Sequence, residues 1–151
     1  MINSMSLSPF CCSCLLYNNF ISGSCWQTVS LGIGQKGFGQ KELNQTLTHE
    51  LIHAYDQCRN HVRFGNLLHH ACTEIRASSL SGECDWESEV NRGNLVGAMR
   101  GGQHQECVRR RAALSVAMNP HAKNSEEKAR AAVDAAFDQC YYDTKPFSRA
   151  P

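Results

Sequence analysis

Two histidines four positions apart, with a glutamate beside the first, are the residues of this 151-residue chain best suited to chemistry: His49-Glu50-Leu51-Ile52-His53. On an α-helix, residues i and i+4 share a face with Cβ atoms roughly 5–6 Å apart. Two imidazoles so placed can grip one zinc ion at about 2.0–2.1 Å. Glu50 projects about 100° further round the helix, out of reach as a ligand but placed to accept a proton from a water at the metal. Seven His and nine Glu in the chain make a chance H-E-x-x-H rare. The pattern predicts a zinc centre that polarises a peptide carbonyl, with Glu50 as general base.

A catalytic zinc takes three protein ligands and leaves a fourth position to water. The metzincin extension H-E-x-x-H-x-x-G-x-x-H is excluded, because Asp56 and Arg59 stand where it needs Gly and His. A gluzincin-type site draws a Glu from a second helix some twenty residues on, and Glu74, 21 positions after His53, is the choice. His70, one turn before Glu74 on the same face, is the alternative ligand or a transition-state stabiliser; His69 comes after both. Asp56, one turn past His53, is either a carboxylate that orients a ligating imidazole or a solvated surface acid.

The elements that must position these residues are helices. Over 44–59, Leu47, Leu51, Ala54, Tyr55 and Cys58 recur at helical spacing and predict a core-facing stripe, beside a polar stripe of His49, His53, Asp56 and Asn60. A second helix over 65–80 has Asn66 as a cap, Gly82 beyond its end, and Leu67, Leu68, Ala71, Ile75 and Leu80 as its buried side. Residues 82–102 contain five glycines and read as a loop anchored by Trp86, or as one carrying a short helix over 85–91. A helix over 103–118 and a second one after it read as a hairpin. Asn119-Pro120 ends the first, and Asn124-Ser125-Glu126-Glu127 caps the second. Ala129, Ala132, Val133, Ala136, Phe137, Cys140 and Tyr141 mark the inner face of the second. An antiparallel hairpin would bring Cys107 to Cys140, which predicts a disulfide between them. Arg109-Arg110-Arg111 fans over about 200° of helix surface, so at least one arginine is expected to pair with an acid at the core edge while the rest are solvated.

A mass of 16.8 kDa suits one domain, and a net charge of +1 offers no electrostatic case for nucleic acid. Residues 1–35 contain no Asp, Glu, Lys or Arg, while all 29 charged residues lie in the other 116. The shift separates a charge-poor N-terminal extension, 1–42, from a metallopeptidase domain, 43–148. The extension's best apolar run, 10–16, is far shorter than the roughly 20 residues of a membrane span. It reads as an irregular segment with a strand tendency around 26–33, and with neither a secretory signal nor a matrix transit peptide. Nine cysteines are many for this length. Cys11 and Cys14 make a lone C-x-x-C, and the dispersed Cys58, Cys72, Cys84, Cys107 and Cys140 fit disulfides in an oxidising compartment better than paired zinc knuckles.

Beyond the motif, several stretches resemble one family. They are His49 to Asp56, Asn66-Leu67, His69-His70-Ala71-Cys72, Glu74-Ile75-Arg76-Ala77, Leu80-Ser81-Gly82-Glu83-Cys84, Arg92-Gly93-Asn94, His104 to Ala112, Ala132-Val133-Asp134 and Asp143-Thr144-Lys145-Pro146-Phe147. Over 44–148 the chain is similar to the mitochondrial inner-membrane metalloproteases that assist ATP synthase assembly. The resemblance implies a zinc (Zn2+) endopeptidase, peripheral to the inner membrane on its intermembrane-space side, with His49 and His53 as ligands and Glu50 catalytic. It implies processing of the ATP synthase subunit 6 precursor, a cleavage-independent chaperone role in membrane-sector assembly, and import through the intermembrane disulfide relay. The fold class it implies is α+β, mainly α. That means a zincin-like, minimal gluzincin-type helical core carrying the H-E-x-x-H helix, with a C-terminal helical hairpin and a small or truncated N-terminal sheet. Residues 1–42 depart from the family pattern. A protease working by strand addition at a sheet edge needs such a sheet, so the alternative function is an assembly chaperone with a structural or idle zinc site.

Overall fold

Helix α1 (Gln40–Asn60) opens the part of the chain that the computed structural model describes, residues 39–94 and 101–149. It begins a turn earlier than the periodicity predicts, with Glu42 in the first turn, where a carboxylate suits the unpaired N–H groups. It ends at His61, whose left-handed backbone (φ 49°) returns its N–H to the Gln57 carbonyl. Asn66 caps α2 (Leu67–Leu80), its side chain accepting the Leu68 N–H at 3.0 Å. The chain leaves α2 through Gly82, whose φ of +77° suits only glycine well, and whose carbonyl accepts a 2.7 Å bond from Gln45 of α1. A short helix, α3 (Trp86–Asn91), follows where glycines suggested mainly loop. Next come α4 (Gln103–Ala117) and a 3-10 turn, Pro120–Ala122, begun by the Asn119 side chain. Last is α5 (Glu126–Tyr141), capped by Ser125 through the Lys128 N–H.

The mainly helical part of the expected class therefore holds, and no strand occurs among the described residues. The expected N-terminal sheet, the strand tendency at 26–33 and the Cys11/Cys14 pair lie outside them. Among the described residues no helix is long and apolar enough to cross a membrane.

Helices α2, α4 and α5 pack around one another, and α1 lies on the remaining side of α2. The core between the first three is built from Ala71, Ile75, Val108, Ala112, Val116, Ala129, Val133 and Phe137. Most of these side chains are small, so the helices approach closely while each contributes little apolar area. Cross-links supplement that core. Cys72 bonds to Cys140, joining α2 to α5, and Cys84 bonds to Cys107, joining the end of α2 to α4. This corrects the Cys107 to Cys140 pairing read from the hairpin alone: α2 packs against both arms, and it and the turn after it supply one cysteine to each. By loop closure, the first bridge spans 68 positions and the second 23. Replacing Cys72 and Cys140 together by Ala is expected to cost about 4 kcal/mol, against about 3 kcal/mol for the Cys84 and Cys107 pair. Urea unfolding of the two double variants checks the order.

Two other expectations are corrected, and a third is met and exceeded. Leu47 and Leu51, predicted to face the core, are 36% and 67% exposed, and the buried residues of α1 are Ile52 and Asp56. His49, His53 and Asp56 of the polar stripe face inward because α2 presents partners for them, while Asn60 is exposed; the buried apolar contact there is Ile52, Ala77 and Leu80. Leu68 and Trp86 are exposed rather than buried, so α3 is anchored instead by Ser88 and Glu89. All three consecutive arginines are paired, each with a different element. Arg109 binds Asp134 at 2.8 Å and lies 3.4 Å over the Phe137 ring. Arg110 binds Glu89 at 2.9 Å and Arg111 binds Glu83 at 2.6 Å.

Candidate metal centre

The facing stripes of α1 and α2 put donor atoms together. His49 and His53 follow the i, i+4 face of α1; His70, Thr73, Glu74 and Ala77 follow the i, i+3, i+4, i+7 face of α2. His49 Nε2 lies 3.1 Å from His53 Nε2 and 3.6 Å from Glu74 Oε2, and His53 Nε2 lies 3.5 Å from Glu74 Oε1. A tetrahedral ion with bonds of about 2.0–2.1 Å needs donors about 3.4 Å apart; the two rings and the two Glu74 oxygens are spaced close to that, and one donor atom from each residue lies within 4.8 Å of the others. Two imidazole nitrogens and one carboxylate oxygen are a donor set that suits zinc. The residues present fit the ion, and His49, His53 and Glu74 form the possible metal-holding group among the described residues.

The alternatives for the third position separate on geometry. His70 does not point a lone pair at the cluster. The Asn119 amide is oriented by its oxygen accepting from His121 N–H, and its NH2 donates to His70 Nδ1 at 2.9 Å. The His70 proton therefore sits on Nε2 and is donated to Glu74 Oε1 at 3.2 Å. His70 thus holds the Glu74 carboxylate in place. His69 is exposed on another face, with Nδ1 accepting from the Arg63 N–H. Glu50 is half-buried on α1, next to His49 and near enough to His53 for its charge to favour the protonated ring.

Around the donors lies a ring of groups that sequence reasoning did not single out. Glu83 sets Oε1 3.3 Å from His49 Nδ1, off line for a good hydrogen bond, while Oε2 is held by Arg111. Thr73 Oγ1 lies 2.9 Å from His53 Nδ1 and donates to Asp56 Oδ2 at 3.0 Å. Arg76 Nε spans both Asp56 oxygens at 2.9 and 3.0 Å. Its other nitrogens donate to the Asp143 and Lys145 carbonyls and pair with the Asp143 carboxylate. Asp56 is thus a buried acid reaching His53 through a hydroxyl, not a solvated one. The available signal was the polar stripe of α2 at helical spacing, which the apolar count along that helix hid.

The electrostatics follow from burial in opposition to these partners. Burial lowers the pKa of His49, but hydrogen bonds and charge from Glu74 and Glu83 outweigh it and push the ring up to about 10. Burial leaves His53 lowered, with the neighbouring His49 charge adding to the effect against the pull of Glu74. For Glu74, burial is overcome by His49 and His70, which hold the carboxyl well below its usual range; Glu83 is likewise brought to about 2 by His49 and Arg111. Without metal, His49 therefore carries a proton at neutral pH that a ligating imidazole must lose. Below pH 10, metal uptake should release about one proton, and the dissociation constant should fall about tenfold per pH unit. Chelator-competition titrations between pH 6 and 8 check the slope.

The family model described as the Peptidase M76 family matches residues 11–148, reaching back into the charge-poor segment. A protein of Malassezia globosa named mitochondrial inner membrane protease ATP23 is 50% identical over 110 residues, 73% of this chain and 43% of that protein. Proteins of the same name from Schizosaccharomyces pombe and Saccharomyces cerevisiae are 46% identical over 112 residues and 50% over 106. These cover 74% and 70% of this chain, and 59% and 46% of theirs. The chain spans about half the length of the curated relatives it matches. No solved structure matches it.

Proposed function

Because the chain belongs to the Peptidase M76 family, we propose that it is a zinc-dependent endopeptidase with a zincin-like site. Its place would be the intermembrane-space face of the mitochondrial inner membrane. The observation that carries this reading is the convergence of His49, His53 and Glu74 on two facing helices: the two Nε2 atoms lie 3.1 Å apart, the two Glu74 carboxylate oxygens lie 3.5 and 3.6 Å from one ring each, and one donor atom from each residue falls within 4.8 Å of the others. Its location rests on the relatives, which bear the name mitochondrial inner membrane protease. Its substrate is proposed as the precursor of ATP synthase subunit 6, with a role beside it in membrane-sector assembly and entry through the disulfide relay.

Bound zinc supplies Lewis-acid polarisation of a water molecule and of the scissile carbonyl. His49, His53 and Glu74 would hold it. Thr73 would fix the His53 ring from behind and His70 the Glu74 carboxylate, while the Glu83 carboxylate beside His49 Nδ1 would supply charge. Glu50 takes a proton on its carboxylate as the nucleophile attacks and delivers it to the leaving amine. The test is cleavage of a subunit 6 precursor peptide by purified protein, blocked by a chelator and restored by zinc. His49→Ala and His53→Ala should each lose the metal and the cleavage together. Stoichiometric zinc in the double variant, or cleavage that survives chelation, would count against the reading.

A further inference from the structure

We propose that Thr73 is a positioning residue that selects the tautomer of His53, placing the ring proton on Nδ1 and leaving Nε2 as the metal-facing lone pair. The inference deepens the metalloprotease reading and rests on it for its consequence in metal binding.

A hydroxyl has one proton to give and an oxygen that can accept. Thr73 is 1% exposed, Asp56 2% and Arg76 1%, so none of the three can turn to water for a partner. The Asp56 carboxylate, spanned by the Arg76 guanidinium, can only accept, and the hydroxyl proton goes to it at 3.0 Å. The Thr73 oxygen is then left to accept, and the group facing it at 2.9 Å is His53 Nδ1. Nδ1 must therefore carry hydrogen. Direction runs one way along the chain: imidazole N–H to hydroxyl, hydroxyl to carboxylate, with guanidinium locking the far end. The anchor is long-range, because Arg76 is itself held by the Asp143 and Lys145 carbonyls. The two candidate ligand rings thus differ in their surroundings: His49 has only a carboxylate nearby at Nδ1, off line, whereas His53 meets a hydroxyl that stands between ring and carboxylate.

Valine has the shape of threonine without the oxygen. In a Thr73→Val protein the Nδ1 proton would lose its acceptor in a buried site; only the approach of His49 Nε2, 3.1 Å from His53 Nε2, would still favour that form, and hydrogen would gain on Nε2, the atom the metal needs. Serine restores the oxygen. The experiment records 15N–1H imidazole correlations of His53 in metal-free full chain at pH 8, for the native protein, Thr73→Val and Thr73→Ser, and zinc affinity by chelator competition. Expected are the Nδ1–H form in the native and serine proteins, a shift to Nε2–H in the valine protein, and zinc binding about 10- to 100-fold weaker for valine alone. An Nε2–H majority in the native protein overturns the proposal, as does a valine protein with unchanged tautomer. Should the valine protein not fold, the native spectrum decides. Failure of the native protein to bind zinc would sink the metalloprotease reading instead, while the tautomer spectra would still judge Thr73.

Discussion

Glu50→Gln protein is expected to keep stoichiometric zinc while losing peptide cleavage by about 10²- to 10⁴-fold, the usual contribution of a positioned general base. The reason is the helix itself. Glu50 shares α1 with His49 and His53 but not their face, and the donor triangle is complete without it. Gln keeps the length and polarity of the side chain and removes only its capacity to take a proton. Metal analysis beside a cleavage assay reads both halves. Zinc lost along with cleavage would mean that Glu50 helps to hold the site, and undiminished cleavage would remove it from the chemistry. The same variant divides protease from chaperone: assembly supported by Glu50→Gln in cells lacking the native protein would assign that role to the fold, independent of cleavage.

The second large effect is expected at Arg76. Arg76→Met should destabilise the protein by about 3–5 kcal/mol, because it leaves the Asp56 carboxylate buried without its counter-charge. The guanidinium also holds the Asp143 and Lys145 carbonyls, so the segment after α5 loses its attachment to α2 in the same variant. Lys is a poor substitute, since an ammonium cannot span both Asp56 oxygens and reach two carbonyls at once. Adding Asp56→Leu to Arg76→Met should recover much of the loss, and urea unfolding of the four proteins measures the coupling. Additive costs would show that the pair does not act as a unit. The recovered protein should still bind zinc less tightly, because stability returns but the anchor behind Thr73 does not.

How much of this could be read from residues alone differs by element. Helix α5 was fully legible, since Ala129 to Cys140 recur at helical spacing and those positions are buried. The H-E-x-x-H spacing is a local property of one helix, and so it located His49 and His53. Glu74 came from a separation along the chain, which the structure turns into proximity. Helix α1 misled for a physical reason: its buried face is polar, and polar burial is tolerable only when partners on another element satisfy it. No periodicity in α1 can reveal that Thr73, Glu74 and Arg76 await it on α2. Leu47 and Leu51 accordingly looked like core and are not. Cysteine pairing was illegible for the same reason, being decided by how α2 packs against the other two arms.

The donor triangle joins two helices of very unequal security. Every residue of α2 from Thr73 to Leu80 is buried, enclosed by α4, α5 and two cross-links, so its amides should be among the last to exchange with deuterium. Helix α1 leans chiefly on α2 through a thin apolar contact and a set of polar side chains, and it should open first, as a unit, without global unfolding. An ion shared between them acts as a clasp on the looser partner. Adding zinc should therefore slow exchange in α1 selectively and leave α2 almost untouched, so the catalytic helix would be tightly seated only when the protein is loaded.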